Sequence, residues 1–244
     1  MKKFSDIAII IPVFHDTSEC CALINYIRSW EQQPREIIVI SGEEDTELYG
    51  FCTDNGCAYY STHACRGAQL DMGAKFSTAP ILWFLHADST PHYSSLSDIT
   101  TAYTEECDGG HFKFKFTGSR SWKKIFFEYL VSLRIRLGGI PYGDQGLFMR
   151  RQNYFNCGGF YHQSLFEEVN LVRKLRKKSR FRSLKTAIGV SPRRWQKKGW
   201  IKQSLINRSL AIRYILGVPA EQLALRYDQI DSRLKLNKNQ ETDV

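Results

Sequence analysis

The hydrophobic pattern of the first third of the chain alternates between short apolar runs and longer amphipathic segments. Four runs have the character of strands buried on both faces, and they cover residues 7–13, 36–40, 57–60 and 81–85. The segments between them predict helices over residues 17–32, from about residue 45, and over residues 66–76. This alternation predicts a parallel sheet with helices on both faces, and ligands of such sheets bind beyond the carboxyl ends of the strands.

The remainder of the chain is less regular. Its apolar spacing predicts helices over residues 94–106, 122–137, 165–178, 200–216 and 221–234. It predicts strands over residues 110–117, 143–150 and 181–190. We find no internal repeat and no low-complexity linker, which favours one continuous domain with a C-terminal extension.

Composition narrows the class of protein. Hydrophobic residues make up 43% of the 244 positions, which excludes a disordered or fibrous chain. No stretch reaches 18 apolar residues, so no membrane-spanning helix is predicted. Residues 169–220 hold fifteen of the 34 Lys and Arg residues and no Asp or Glu, and this block indicates a local anionic partner.

The number and spacing of the seven cysteines do not indicate a disulfide framework. Their number is odd, and no pair of CxxC motifs occurs. Reduced thiols and a cytoplasmic location are therefore expected, and no Cys/His set has the spacing of a zinc site.

Candidate metal chemistry lies directly after the fourth apolar run, at His86 and Asp88. A carboxylate at the end of a buried strand is well placed to hold Mg²⁺ or Mn²⁺, which bridge phosphate oxygens. The alternative is that Asp88 caps the turn that follows.

Candidate acid–base chemistry lies at Glu167 and Glu168, at the start of a predicted helix. One carboxylate is suited to act as a general base, with the other orienting a partner. The alternative is that both acids only complement the helix dipole.

Two further segments offer polar contacts. Asp144 and Gln145 stand between glycines and suit the hydroxyls of a sugar, or form a plain turn. Arg193 and Arg194 flank Trp195 in a basic segment, and guanidinium groups suit phosphate oxygens. The alternative for the basic segment is a solvated face.

The order of these segments resembles family 2 glycosyltransferases, which have the GT-A fold. The likeness is strongest to a compact bacterial subfamily described as radical-SAM/selenodomain-associated. The segments that carry it are IIIPVFHD at 9–16, RGAQLDMGA at 66–74, WFLHADS at 83–89, GDQGLFMRR at 143–151, GGF at 158–160, FEEVNLVRKLR at 166–176 and SPRRWQKKG at 191–199.

The resemblance implies an α/β, Rossmann-like GT-A sheet, mostly parallel and flanked by helices, with a basic helical C-terminal extension. It implies one domain over residues 1–230. Its parts would be a nucleotide-binding half (about 1–90), an acceptor half (91–190), a helical extension (191–230) and then a polar tail (231–244).

The resemblance also implies roles for single residues in an inverting transfer from a nucleotide sugar to an acceptor hydroxyl. Glu168 falls at the base position, where relatives usually carry Asp, with Glu167 beside it. Asp88 falls at the metal position, for Mg²⁺ or Mn²⁺, with His86 where relatives carry Asp. The residues implied to bind the donor are Pro12, Asp16, Ser41, Arg66, Arg193 and Arg194, and those expected at the acceptor are Asp144, Gln145 and Trp195.

Three alternatives stay open at this level. Residues 195–216 form a basic amphipathic segment that either lies on an anionic membrane surface, with a lipid-like or lipid-linked acceptor, or packs on the core. A sugar-1-phosphate nucleotidyltransferase would share the sheet but normally has a glycine-rich loop after strand one. A nucleic-acid-binding protein would use the basic block, but no binding motif occurs, so no nucleic acid is expected.

Overall fold

A computed structural model of the chain describes residues 3–227. Residues 220–227 are helical, and the remainder of the helix predicted over 221–234 lies outside the described residues. The predicted polar tail at 231–244 also lies outside them.

The alternation of strands and helices over residues 7–84 follows the predicted order, with the short edge strands β1 and β3 in addition. The strands are β1 Lys3–Phe4, β2 Ile7–Val13, β3 Gln32–Gln33, β4 Glu36–Ser41, β5 Ala58–Ser61, β6 Ile81–Phe84, β7 Gly109–Phe116, β8 Phe148–Arg150 and β9 Phe181–Val190. The helices are α1 Thr17–Arg28, α2 Thr46–Asp54, α3 Arg66–Phe76, α4 Ser95–Thr104, α5 Trp122–Arg136, α6 Arg151–Asn156, α7 Val169–Lys178, α8 Arg193–Lys198 and α9 Trp200–Ile215.

Seven strands form the central sheet in the order β5-β4-β2-β6-β8-β7-β9. β5, β4, β2 and β6 are parallel neighbours, and β7 is parallel to β9. β8 runs antiparallel to both of its neighbours, β6 and β7. The predicted α/β class with a mostly parallel, helix-flanked sheet is confirmed.

Side chains of β2 alternate between the two faces of the sheet. Ile9 and Ile11 belong to a core that includes residues of α1, α2 and α4. Ile10 belongs to a second core, with residues of α3, α6 and α7. Because a strand has a period of two, an uninterrupted apolar run such as β2 needs helices on both faces. Gly73 lets α3 approach closely, since a Cβ there would lie 2.5 Å from Ile10 Cγ2.

The predicted strand over 143–150 is wrong in its first half. Gly143–Gln145 forms a single 3-10 turn, and only Phe148–Arg150 is extended. The cause is Gly146, whose φ of +57° lies in the left-handed region and interrupts the strand. The short helices α6 and α8 were not predicted, because six residues carry too little periodicity.

Two helix boundaries also differ from the prediction. α1 ends at Arg28 rather than at residue 32, because Gln32 and Gln33 pair with the edge strand β1. α7 begins at Val169 rather than at residue 165, because Phe166 has a φ of +61° and stands outside the helix.

The chain divides into two compact units. The first runs to His162 and resumes over Glu167–Ser191, and it contains the whole sheet. The second takes in Gln163–Phe166 and starts again at Pro192, with α8 and α9. Inside the second unit, the Phe166 ring stacks on Tyr214 with 4.7 Å between centroids. The single domain over residues 1–230 stays a prediction.

Among residues 3–227, no helix is both long enough and apolar enough to cross a membrane. All seven cysteines are free thiols, as the absence of a cysteine framework predicts.

Candidate active site

The carboxyl ends of β2 and β4 are tied together by a buried amide that the sequence analysis did not single out. Gln69 Nε2, on α3, donates to the carbonyl oxygens of Val13 (2.9 Å) and Ile40 (2.8 Å). Ser41 follows at the end of β4 and is 2% exposed. Gln69 therefore fixes the edge of the sheet beyond which ligands of this sheet type bind.

The predicted donor residues of the first strand lie at that same edge. Pro12 pairs in register with Ile40, and Asp16 is exposed at the N-terminal end of α1. Between them, His15 has a φ of +60°, and its Nδ1 lies 3.1 Å from Glu43 Oε1. This ion-pair geometry brings the loops after β2 and β4 together.

The acidic pair is buried and joined to α3. Glu167 and Glu168 are 2% and 4% exposed, immediately before α7. The guanidinium group of Arg66, the first residue of α3, lies 3.6 Å from Glu167 Oε1. The predicted donor-binding residue Arg66 and the acidic pair therefore belong to one cluster, although 100 residues lie between Arg66 and Glu167 in the sequence.

The two carboxyl groups of the pair are not equivalent. Burial raises the pKa of Glu167, while the positive charge of Arg66 opposes that rise. Burial and, next, the charge of Glu167 raise the pKa of Glu168 well above its usual range. A carboxyl group with a raised pKa takes up a proton more readily near neutral pH, which suits Glu168 to general-base chemistry.

Arg66 lies among several acids. Burial alone would lower the pKa of Arg66, but the carboxylates of Glu167, Glu168, Asp144 and Asp88 raise it by more. The structure thus brings together predicted donor, base, acceptor and metal residues from four different segments. Such a concentration of carboxyl groups with perturbed pKa values around one cation is typical of functional sites.

Asp144 lies on the 3-10 turn and faces this cluster. Burial raises the pKa of Asp144 to about 6, the positive charge of Arg134 lowers it, and the negative charge of Asp88 raises it further. His86 lies against the same turn, since a Cβ on Gly143 would be 2.8 Å from His86 Nε2. The predicted metal residues His86 and Asp88 therefore adjoin the predicted acceptor residue Asp144.

Arg134 and Tyr142 were missed by the sequence analysis. The Arg134 guanidinium lies 4.1 Å from the centroid of the Tyr142 ring. Burial raises the pKa of Tyr142, and the positive charge of Arg134 opposes that rise. The sequence placed Arg134 on an amphipathic helix, and only the fold shows that α5 carries it to the turn that holds Asp144.

Gln145 turns inward. Its side chain is 1% exposed, and Nε2 donates to the carbonyl oxygen of Phe112 at 3.1 Å. The amide holds the 3-10 turn against β7. The predicted contact of Gln145 with an acceptor stays a prediction.

Arg193, Arg194 and Trp195 belong to the second compact unit, on α8. Arg194 Nη1 donates to the hydroxyl of Tyr227 at 3.4 Å. The ring centroids of Trp195 and Trp200 lie 5.8 Å apart. Their predicted roles at the donor and acceptor stay predictions.

A buried carboxylate, Asp71, joins α3 to the segment that precedes the acidic pair. Its two oxygens accept from Tyr154 Oη at 2.9 Å and from His162 Nε2 at 3.0 Å, and Lys75 Nζ lies 2.7 Å away. Burial would raise the pKa of Asp71, but these donors together hold the pKa below its usual range. The sequence gave no signal for this cluster beyond a polar residue inside an apolar helix.

Replacing Asp71 with alanine is expected to lower the free energy of unfolding by about 1–3 kcal/mol at pH 7, because the buried Tyr154 hydroxyl loses its acceptor. A carboxyl group with a lowered pKa stabilises the fold above about pH 4 and loses that contribution on further acidification. Urea denaturation should therefore show that Asp71→Ala loses less free energy of unfolding at pH 3 than at pH 7. The control is Lys75→Gln, whose exposed ammonium should cost less than about 1 kcal/mol.

The residues present fit a divalent cation only in part. Among residues 3–227, no group of three or more His, Cys, Asp and Glu side chains is placed to hold a metal ion. Asp88 is exposed and acts electrostatically on Asp144, so hard carboxylate oxygens do face the cluster. Mg²⁺ is commonly held by one or two carboxylates together with substrate phosphates, and Asp88 fits that arrangement.

Comparisons with solved structures identify the fold. The chain is similar to TarS from S. aureus, crystallised with UDP-GlcNAc, with a TM-score of 0.58 and 16% identity over 78% of this chain and 58% of that one. It is similar to the mannosyltransferase PcManGT from Pyrobaculum calidifontis, in complex with GDP-Man and Mn²⁺. The TM-score is 0.58, and the identity is 13% over 90% of this chain and 66% of that one. A third similar structure is glucosyl-3-phosphoglycerate synthase from Mycobacterium tuberculosis, with a TM-score of 0.53 and 14% identity over 75% and 71%.

The GT-A fold predicted from the sequence is confirmed by these structures. The match spans about three fifths of the TarS 1-349 chain. No protein-family model matches the sequence, and no curated protein sequence matches it. Membership of the compact bacterial subfamily stays a prediction.

Proposed function

We propose that this chain is an inverting glycosyltransferase that moves a sugar from a nucleotide-sugar donor to an acceptor hydroxyl. One observation carries the proposal. A buried Glu167–Glu168 pair, held by Arg66, lies beyond the carboxyl edge of a GT-A sheet and beside Asp88 and Asp144. Two of the similar structures contain a nucleotide sugar, UDP-GlcNAc in TarS and GDP-Man in PcManGT, and the third is a glucosyl-3-phosphoglycerate synthase. These neighbours support this class of substrate.

In the proposed reaction, Glu168 accepts the proton of the acceptor hydroxyl. The hydroxyl oxygen then forms a bond to the anomeric carbon, while the bond from that carbon to the nucleoside diphosphate breaks on the opposite side. Glu167 does not compete as the base, because its oxygen faces the Arg66 guanidinium. Burial of the pair excludes water from the proton transfer.

The donor contacts follow from the edge of the sheet. Pro12, Asp16 and Ser41 would border the nucleotide, and Arg66 would face the phosphates. Arg193 and Arg194 stay candidates for the same phosphates, because a guanidinium fork suits phosphate oxygens. Mg²⁺ or Mn²⁺, held by Asp88 with His86 beside it, would neutralise charge on the leaving diphosphate.

The acceptor side would be formed by Asp144, with Tyr142 and Arg134 behind it, and Trp195 stays a candidate there. We propose a lipid-like or lipid-linked acceptor and peripheral binding to the inner face of a membrane. On α9, Ile201, Leu205, Ile212 and Ile215 lie on one helical face and are exposed. Such an exposed face supports surface binding over ordinary packing for these four positions.

Donor binding is the direct test of the proposed function. UDP-, GDP- and dTDP-sugars are added singly, with Mn²⁺ and without it, and the melting temperature is followed. A ligand at 100 times its Kd stabilises the folded state by about 2.7 kcal/mol, so one donor should raise the melting temperature clearly. A panel without any shift, in the presence or absence of Mn²⁺, contradicts the proposal.

Replacing Gly143 with alanine is expected to lower turnover by roughly 10–100-fold, because the new Cβ would displace the His86 ring and the groups beside it. Initial rates with the donor found by thermal shift give the measurement. The control is Gly50→Ala, since Gly50 lies in α2 with open space around its Cβ position. If both variants and the unchanged protein have equal rates, the assignment of His86 to the site is wrong.

A further inference from the structure

Helix α5 carries an apolar face that the fold leaves uncovered. Of its 15 residues, only Lys124 and Phe127 are buried. The large side chains that are exposed on α5 or directly after it recur at helical spacing, and they are Trp122, Ile125, Phe126, Tyr129, Leu133 and Leu137. These positions fall on one side of the helix. We call this set the α5 stripe.

The inner side of α5 explains why the stripe faces outward. Lys124 Nζ donates to the carbonyl oxygens of Thr117 (2.6 Å) and Ser119 (2.7 Å), beneath the helix. Glu128 accepts from the backbone N–H of Phe116 at 2.8 Å. Lys124 and Glu128 thus anchor α5 to the end of β7, together with the buried Phe127, and the side chains of the stripe lie on the opposite side of the helix.

The charge around the stripe is positive. Residues 109–143 contain seven Lys and Arg residues and a single acid, Glu128. That acid is already engaged, since Arg120 NH1 lies 2.8 Å from both of its oxygens. Lys123 and Arg136 are exposed near the two ends of the helix. The stripe is therefore an apolar surface, with aromatic residues, between cations.

We propose that the α5 stripe is a further docking surface for an anionic lipid bilayer, besides the exposed face of α9. Trp and Tyr favour the boundary between acyl chains and headgroups, and flanking Lys and Arg residues are attracted to anionic lipids. A second copy of the chain is the weaker alternative on charge, because a dimer through this face would bring the exposed Lys and Arg residues of two copies together.

The position of the stripe connects it to the proposed reaction. Arg134 on α5 contacts the Tyr142 ring, and residues 138–142 lead from the helix directly to Asp144. A bilayer bound at the stripe would therefore bring lipid headgroups to the acceptor side of the site. This consequence rests on the proposed function, whereas the docking itself does not.

Co-sedimentation with vesicles tests the proposal. The probe is vesicles of phosphatidylcholine alone and with 30% phosphatidylglycerol, a composition chosen to give roughly physiological surface charge. The stripe variant combines Trp122→Gln, Phe126→Gln and Tyr129→Gln. The matched control combines Phe4→Gln, Tyr49→Gln and Tyr93→Gln, which are exposed aromatic residues elsewhere in the first unit. A third variant, Lys197→Gln with Lys202→Gln on α8 and α9, should lose less binding than the stripe variant does. A larger loss would place the main docking surface on α8 and α9 and contradict the assignment to α5.

The expected result is binding of the unchanged protein to anionic vesicles and at least a tenfold loss of binding in the stripe variant. The control should bind as the unchanged protein does. The proposal is overturned if the unchanged protein does not bind. It is also overturned if the stripe variant still binds, or if the control loses binding equally. Light scattering gives one further test. If the unchanged protein and the control are dimers and the stripe variant is a monomer, the stripe is a dimer interface and the proposal is overturned.

The donor-induced rise in melting temperature separates this proposal from the proposed function. If donor still raises the melting temperature of the stripe variant but the variant no longer sediments with vesicles, the variant is folded and lacks only membrane docking. If no donor raises the melting temperature of any variant, the proposed function fails while the docking result still stands.

Discussion

Replacing Glu168 with glutamine is expected to lower kcat by roughly 10²–10⁴-fold, the usual contribution of a general base. The amide keeps the shape of the side chain but cannot accept the proton of the acceptor hydroxyl. Donor affinity should change little, because Glu168 is proposed to contact the acceptor. The measurement is the initial rate of nucleoside diphosphate release, with water as the acceptor until another is identified.

Glu167→Gln is the matched control for this prediction, because it removes an adjacent carboxylate of equal burial. It should weaken the contact with Arg66 and reduce the rate less than Glu168→Gln does. A larger loss in Glu167→Gln would make Glu167 the base. If both variants keep full activity, the pair serves only the start of α7.

The raised pKa of Glu168 also predicts how stability and rate depend on pH. A carboxyl group whose pKa is raised on folding stabilises the fold only at low pH, and that contribution is lost as pH rises above about 4.3, the value for an unfolded chain. Glu168→Gln should therefore be more stable than the unchanged protein, and the gain should be larger at pH 8 than at pH 5. In the unchanged protein, kcat should rise with pH through a range above that of an ordinary glutamate.

Replacing Asp88 with asparagine is expected to abolish measurable turnover and the metal-dependent part of donor binding, while the fold survives. Asp88 is exposed after β6, so the substitution removes charge without opening the core. The amide is a weaker ligand for a hard cation, and the leaving diphosphate would keep its charge uncompensated.

The readouts for Asp88→Asn are turnover and the thermal shift by donor with Mn²⁺ and without it. Asp98→Asn is a suitable control, because that carboxylate lies on α4 and accepts from Ser94 Oγ. Retained turnover in Asp88→Asn, or turnover of the unchanged protein in excess chelator, would contradict the assignment.

The sequence predicts β2, β4 and β6 well because these strands are continuous apolar runs. α3 occupies the residues predicted for it, after the turn signal at residues 65–67. β8 was predicted too long because nothing in the sequence distinguishes a strand glycine from Gly146, which adopts a positive φ.

The site was predictable where one segment carries the chemistry. Asp88 and the acidic pair stand out because each is a charged interruption next to an apolar run. Asp71 does not, because its partner Tyr154 is 83 positions away. The burial of Gln145 was not predictable either, because the sequence does not show whether a polar side chain between glycines faces inward.

The fate of the donor's phosphates tests the central claim most directly. The nucleotide sugar that raises the melting temperature is incubated with the protein. The phosphorus products are resolved by ³¹P NMR, and the anomeric configuration of the sugar product is read by ¹H NMR. We predict release of the nucleoside diphosphate, transfer of the sugar with inverted anomeric configuration, and loss of both in Glu168→Gln. In a parallel sample with added pyrophosphate, a nucleotidyltransferase would instead form a nucleoside triphosphate and a sugar 1-phosphate. Those products, or nucleoside diphosphate release that is unchanged in Glu168→Gln, would contradict a glycosyltransferase built on this acidic pair.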